Sequence, residues 1–210
     1  MPPRSVSETS IGDFLNALGT AEGGHGAVST AAVAGGLGCA LLMMVATLPR
    51  ARSDSMDERT RLIEAAAALS NVQEQLIETV ETETAVKVFA ARNLPKASEA
   101  ERTERQTAIQ FALRAAAEVP LEVLRLCTQG LKQAGTVARH GARAASTDVE
   151  LGVALLHAAF NGARSNLEAK LSSLTNAVYI RGVVDEMAQL NEEANEAADA
   201  ARAALQVPPA

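Results

Sequence analysis

Apolar residues recur along most of this chain at spacings of three and four, the repeat of a helix that buries one face. Ile11, Phe14, Leu15 and Leu18 fall at i, i+3, i+4 and i+7, so a short amphipathic helix is expected there, capped by Ser10 and ended by Gly19. From Gly23 to Pro49 the polar face disappears. That stretch, GGHGAVSTAAVAGGLGCALLMMVATLP, contains no Asp, Glu, Lys or Arg, and it reads as one buried helix entered through a glycine-rich turn. Ala31, Ala34, Gly35 and Gly38 are small enough to let another helix approach closely. A polar link, RARSDSMDE, then leads into a long helix expected from about Met56 to Asn93. Its apolar stripe is Leu62, Ile63, Leu69, Val72, Leu76, Val80, Val88 and Phe89, and Leu94-Pro95 breaks it.

Ser98 followed by Glu101 is a capping-box pattern, in which each side chain satisfies a backbone donor at the start of a helix. Pro120 is expected to kink or interrupt that helix. The pattern resumes with Val123, Leu124, Leu126, Leu131 and Val137 as far as Gly141. Thr147 and Glu150 read as a second capping box, opening a helix with Val149, Val153, Leu155, Leu156 and Phe160 that continues past Leu171. A last acidic, alanine-rich helix is expected from about Val183 to Leu205, with Met187 and Leu190 on its inner side. No run reads as a strand bounded by hairpin turns. The fold class is therefore all-α, an antiparallel bundle of five to seven helices around a central buried Gly/Ala-rich helix. Residues 1–9 read as a flexible tail, 10–206 as a single helical domain and 207–210 as a C-terminal tail.

Composition sharpens this picture. Hydrophobic residues make up 48% and charged residues 21% of the 210, so the chain has enough apolar surface to fold as a globular domain. Aromatics are only 2% and Trp is absent, so the core has to be built from Ala, Leu, Val and Ile in close-packed helices. The net charge of −6 argues against nucleic acid as a partner, because a basic face supplies most of that affinity. About 20 apolar residues also suffice to span a bilayer. Here Ser29, Thr30, His25 and several glycines interrupt the apolar stretch and no Trp or Tyr flanks it, so a core helix is expected and no membrane partner. The preceding Glu8, Asp13 and Glu22 are unlike the basic start of a signal peptide. Cys39 and Cys127 lie in apolar helical contexts and read as reduced core thiols of a cytoplasmic protein. The many small residues of the buried helix suggest a sizeable helix–helix interface, for which a homodimer is the simplest closed solution.

The sequence contains no G-x-x-x-x-G-K-[ST], H-E-x-x-H or C-x-x-C, so neither a nucleotide nor a metal is expected. His25 in the glycine turn reads equally as a ligand contact or as a loop histidine, and His157 on an apolar helix face reads as structural. The acidic run Glu78, Glu81 and Glu83 has an ordinary solvated face as its simplest explanation. Asp148 falls in the first turn of a helix, where the N–H groups and the dipole favour its anion.

The order of several short motifs resembles the cyclodeaminase/cyclohydrolase family of one-carbon folate metabolism. They are FLNAL at Phe14, GGLGCALLMMVATL over Gly35 to Leu48, LPK at Leu94 to Lys96, RQTAIQFALRAAAEVPLEV from Arg105, and TDVELGVALLHAAFNGARSN over Thr147 to Asn166. This resemblance covers nearly the whole chain. It implies a helical homodimer that takes a tetrahydrofolate derivative as substrate or one-carbon donor, without metal or nucleotide. The family's Pro-Thr-Pro-Gly-Gly-Gly-Ser turn, thought to line the folate site, corresponds here to GGHGAVS, which puts Gly24, His25, Gly26 and Ser29 beside the ligand. The family's acidic proton donor aligns with Glu81, and its aspartate at the later helix start is retained as Asp148. Arg50, Arg52, Lys96, Arg105 and Asn166 are the implied folate-binding residues, while the family's further Asn aligns with Lys170.

The resemblance implies chemistry at the carbon that bridges N5 and N10 of the folate. In the cyclohydrolase reaction water adds to that carbon; in the cyclodeaminase reaction N10 attacks a formimino carbon and ammonia leaves. Both need a proton shuttle beside a cationic centre, work suited to two carboxyl groups in unlike settings, here Glu81 and Asp148. The altered glycine turn motivates an alternative, in which the one-carbon unit passes to a second substrate in a Mannich-type bond formation. A second alternative is a non-catalytic helical partner protein.

Overall fold

The computed structural model describes residues 9–20, 26–48, 55–80, 84–95 and 97–206. These residues form seven α-helices: α1 (Ile11–Leu18), α2 (Ala27–Thr47), α3 (Met56–Val80), α4 (Thr84–Arg92), α5 (Glu99–His140), α6 (Ser146–Leu171) and α7 (Ala177–Gln206). A single 3-10 turn, Arg143–Ala145, leads from α5 into α6. The described residues include no strand.

The central element is α2, whose chemistry matches its place. It packs on α3, α5 and α6, and its small residues set the distances. A Cβ built on Gly38 would lie 2.7 Å from the Gly152 carbonyl oxygen of α6, so only glycine lets the two backbones meet there. Beside Gly35, Leu76 of α3, Ala159 of α6 and Cys127 of α5 converge. The Gln73 side chain of α3 donates to the Gly36 carbonyl at 3.3 Å, a polar stitch on an otherwise apolar seam. Leu42, Leu69, Leu121, Leu124, Leu156 and Phe160 fill the space between helices and exclude water. Cys39 and Cys127 are buried thiols, and burial pushes Cys39 up to about 12. By length and composition α2 also suits a membrane span, yet in this fold it is the hub of the bundle.

The contacts fix the helix directions. Going along α2 from Ala31 through Gly35 to Gly38, the facing residues of α6 fall from Gly162 through Ala159 to Leu156, so these two helices are antiparallel. α5 runs parallel to α2, with Cys127 beside Gly35 and Gly130 beside Cys39. α3 is antiparallel to both, since Leu76 meets Gly35 while Glu58 pairs with His140 at 3.2 Å. α5 and α7 also run parallel, as helices of the same direction do in an up-down bundle. Glu118 accepts from the Tyr179 hydroxyl at 2.7 Å, Arg125 bonds Glu186 at 2.6 Å and Lys132 bonds Glu193 at 2.7 Å, a parallel seam repeating every heptad.

Ser10 accepts from the Asp13 N–H at 3.1 Å, and the Ser98–Glu101 capping box forms in both directions at 3.2 and 2.8 Å. Other expectations need correction. The single helix expected over 56–93 is described as two, α3 to Val80 and α4 from Thr84, with 81–83 outside the described residues. Ile63 and Phe89, read as core, are 69% and 70% exposed. Pro120 does not interrupt α5. The residue four before it is Ala116, and Leu121, Val123 and Leu124 anchor the helix immediately afterwards, which outweighs the proline cost of about 3 kcal/mol. No Thr147–Glu150 capping box forms: the 3-10 turn feeds straight into α6 at Ser146, and the cap position is Ala145. α7 starts at Ala177 rather than near Val183, because Asn176 caps it by accepting from the Tyr179 N–H at 3.0 Å.

Candidate functional site

The sequence candidates fall into two groups along the α2–α6 pair. Gly26 is the extended N-cap residue of α2 and offers no side-chain cap; its carbonyl accepts from the Thr30 N–H at 3.0 Å. Ser29 is half-buried in the first turn. Because Gly162 of α6 packs on Ala31, Asn166, one turn further along α6, stands beside this first turn of α2. Its Oδ1 is buried, and among the described residues it has no hydrogen-bond partner. A buried amide oxygen without a donor loses its water and gains nothing in return, so it favours a ligand N–H. α3 ends at Val80 at the same end of the bundle, since Leu76 already lies beside Gly35.

Lys170 is the residue whose weight sequence reasoning missed. It lies one turn beyond Asn166 on the same side of α6, is half-buried, and makes no ion pair with a described residue. Burial alone holds its ammonium pKa below the ordinary lysine value. A partly desolvated cation without a partner favours an anionic ligand. The sequence signal was available in a polar pair, Asn166 and Lys170, continuing the i, i+4 stripe of small apolar residues Ala159 and Ala163.

Asp148 occupies the other end. It is half-buried in the first turn of α6 and separated from Asn166 by five helical turns, about 27 Å at roughly 1.5 Å per residue. Close by in the fold, His140 Nδ1 and Glu58 Oε1 are paired at 3.2 Å. One subunit therefore does not bring Asp148 together with Asn166.

Arg105 is accounted for differently. Its Nε donates to the Arg92 carbonyl at 3.0 Å and ties α4 to α5. Next to it an open groove of about 1140 Å³ runs between α4 and the first turns of α5, walled by Ala90, Ala91, Ala108, Ala112 and the 76%-exposed Phe111. Glu81, Gly24, His25, Arg50, Arg52 and Lys96 lie outside the described residues. His157, read as structural, is held between Asn195 of α7 at 2.9 Å and Asn161 at 3.4 Å. No three His, Cys, Asp or Glu side chains among the described residues are gathered as metal ligands would be.

With this geometry in place, the chain can be set beside known proteins. A family model described as formiminotransferase-cyclodeaminase matches residues 10–189. The chain belongs to this family. The formimidoyltransferase-cyclodeaminase of Gallus gallus is 27% identical over 190 residues, which cover 89% of this chain and 35% of the relative. The chain thus spans about a third of that larger protein. The methenyltetrahydrofolate cyclohydrolase of Methylorubrum extorquens is 26% identical over 195 residues, covering 89% of this chain and 94% of the relative. In structure, the formiminotetrahydrofolate cyclodeaminase of Thermotoga maritima superposes with a TM-score of 0.85 at 21% identity, over 96% of this chain and 98% of that one. The shared architecture is the all-α fold expected from the sequence.

Proposed function

We propose that this family member is a folate-dependent one-carbon enzyme of the cyclohydrolase/cyclodeaminase type, acting on the N5–N10 bridge of tetrahydrofolate as a cytoplasmic homodimer. The observation that carries this reading is the match along 94% of a relative named methenyltetrahydrofolate cyclohydrolase. The end of the bundle around Gly26, Ser29 and Asn166 supports it. There an uncapped helix start and a buried amide oxygen need partners, and a pteridine edge or an amide N–H supplies them. Homodimer formation is supported by the outer face of α2, where Leu37 and Met44 are 52% and 43% exposed on a helix without a single charged residue. The Mannich-type alternative draws no support from the relatives' names.

In this reading water adds to the bridging carbon, one proton leaves to solvent, and the N5–C bond breaks as the adduct's hydroxyl proton moves to N5. Glu81 carries that proton. Asp148 balances the cationic bridge, and Arg50, Arg52 and Lys96 are the cations available to the substrate's carboxylates, Arg105 being engaged with the Arg92 carbonyl. The test is the ultraviolet loss of methenyltetrahydrofolate with and without the protein. Glu81→Gln should still bind reduced folate and lose on the order of a hundredfold or more in turnover. A wild-type protein that fails to accelerate the loss would end the proposal.

A further inference from the structure

The side of α6 that packs on α2 continues past the point where α2 begins. Gly152 and Leu156 meet Gly38, and Ala159 follows along the same seam against Gly35. Lys170 lies eighteen residues after Gly152, five whole turns at about 3.6 residues each, so it leaves α6 from that same face, with Asn166 one turn before it. Because the register is antiparallel, with Gly162 on Ala31, Asn166 is level with Ala27 and Lys170 stands one turn further, just past the start of α2. A face that is covered elsewhere is left here to a polar pair. Among the described residues, Asn166 Oδ1 is buried with no donor and the half-buried Lys170 has no carboxylate partner. The N–H groups of Ala27, Val28 and Ser29 precede the first intrahelical bond, from Thr30 to Gly26, and receive no side-chain cap, so they point out of α2 toward the same place.

The unsatisfied groups differ in kind, and this limits the ligand. Asn166 wants an N–H donor, while Lys170 and the start of α2 both want an anion one helical turn away, about 5–6 Å between Cβ atoms. A neutral pteridine edge answers the first need and not the second. A secondary amide with a carboxylate on the next carbon answers both, since its N–H and its anion are neighbours within that span. We propose that Asn166 and Lys170 together read an N-acyl amino acid, here the p-aminobenzoylglutamate end of a folate, with the amide N–H donated to Asn166 Oδ1 and the α-carboxylate held between the Lys170 ammonium and the start of α2. This rests on the folate reading for the identity of the ligand, and it gives that ligand a direction. The glutamate lies at the C-terminal end of α6, and the pteridine with its one-carbon bridge extends away from Lys170. In a methenyl folate the bridge is itself cationic, so a lysine at the tail attracts the substrate where one at the bridge would repel it.

Titration calorimetry separates the two contacts, with 5-formyltetrahydrofolate set against its analogue carrying γ-aminobutyrate in place of glutamate. The analogue keeps the amide and the γ-carboxylate but lacks the α-carboxylate. The wild type should bind it about tenfold more weakly than the parent. Lys170→Met should weaken the parent about tenfold and the analogue less than about twofold, and Lys170→Arg should restore most of the parent's affinity. Asn166→Ala should weaken both ligands alike, because both keep the amide N–H. Equal losses for the two ligands in Lys170→Met, or no loss for either, would overturn the proposal, as would an Asn166→Ala variant that binds both as the wild type does. A wild type that binds in the expected pattern yet leaves methenyltetrahydrofolate untouched upholds the pair while the enzymatic reading fails. If the wild type binds no reduced folate at all, p-aminobenzoylglutamate alone decides. Broadening of its NMR signals by the wild type and not by Lys170→Met upholds the site; signals affected equally by both, or by neither, overturn it.

Discussion

The two ends of α2 are built from the same kinds of residue and finished differently. At the C-terminal end the chain largely closes on itself: Gly141 N–H bonds the Val137 carbonyl at 2.8 Å, His140 pairs with Glu58 Oε1 while Glu58 Oε2 is buried without a described partner, and the 3-10 turn leads directly into α6. At the N-terminal end, α2 starts without a side-chain cap, the Asn166 oxygen is buried without a described partner, and Lys170 is half-buried without a counter-ion among the described residues. Folding alone rarely leaves several polar groups wanting at one place. The uncapped helix start and the half-buried lysine, found together only at the N-terminal end among the described residues, are the reason the proposed folate site is placed there.

The strongest way to break this comparison is to destroy the seam that holds both ends in register. Gly38→Val would drive its side chain into the Gly152 backbone and should cost at least about 3 kcal/mol, lowering the melting temperature by roughly 6–12 °C and abolishing function at both ends. Calorimetry checks this. Next comes Asn166→Ala, which removes the amide from the open end. Binding of a stable reduced folate, read by titration calorimetry, should weaken about tenfold, or about 1.4 kcal/mol. Equal affinity would mean the buried oxygen has no ligand to meet.

A smaller effect sharpens the comparison from the other side. Arg105→Ala loosens α4 by one hydrogen bond worth about 1 kcal/mol, so limited proteolysis near Arg92 should quicken while folate affinity changes less than about twofold. A tenfold loss of affinity would move the ligand toward the α4–α5 groove. Smallest is Lys170→Met. Burial disfavours the charged form of this lysine in the folded state, so the folded protein holds its proton less tightly than the unfolded chain. Wild-type stability should therefore rise with pH as the folded Lys170 loses its proton, approaching that of the variant near the ordinary lysine value. At neutral pH, without ligand, Lys170→Met should melt slightly higher than wild type. A lower melting point would show that Lys170 is already paired in the folded protein.

Much of the fold was legible because local rules and global packing agree there. Ser10, the Ser98–Glu101 box and the small residues of α2 each act within one turn or one close contact, and the structure uses them as read. Errors came where tertiary context overrode a local rule. Pro120 lies inside a helix that the core holds continuous, and Thr147 is preceded by a turn that makes its cap unnecessary. Ile63 and Phe89 fit the apolar stripe of a single long helix, but Ile63 faces outward from α3, and α4 packs on α5 rather than on the central seam. The site was less legible for a different reason. Asn166 and Asp148 could each be picked out along the chain, and their five-turn separation follows from sharing α6, but which end of α2 each stands beside is set only once α2 and α6 have met.

The most direct test of the folate site is amide hydrogen exchange with and without a stable reduced folate such as 5-formyltetrahydrofolate. The account predicts slowed exchange at residues 26–30 and 162–170, with no change over 100–111 beside the Phe111 groove. Protection confined to 100–111, with 26–30 and 162–170 exchanging as before, would contradict it.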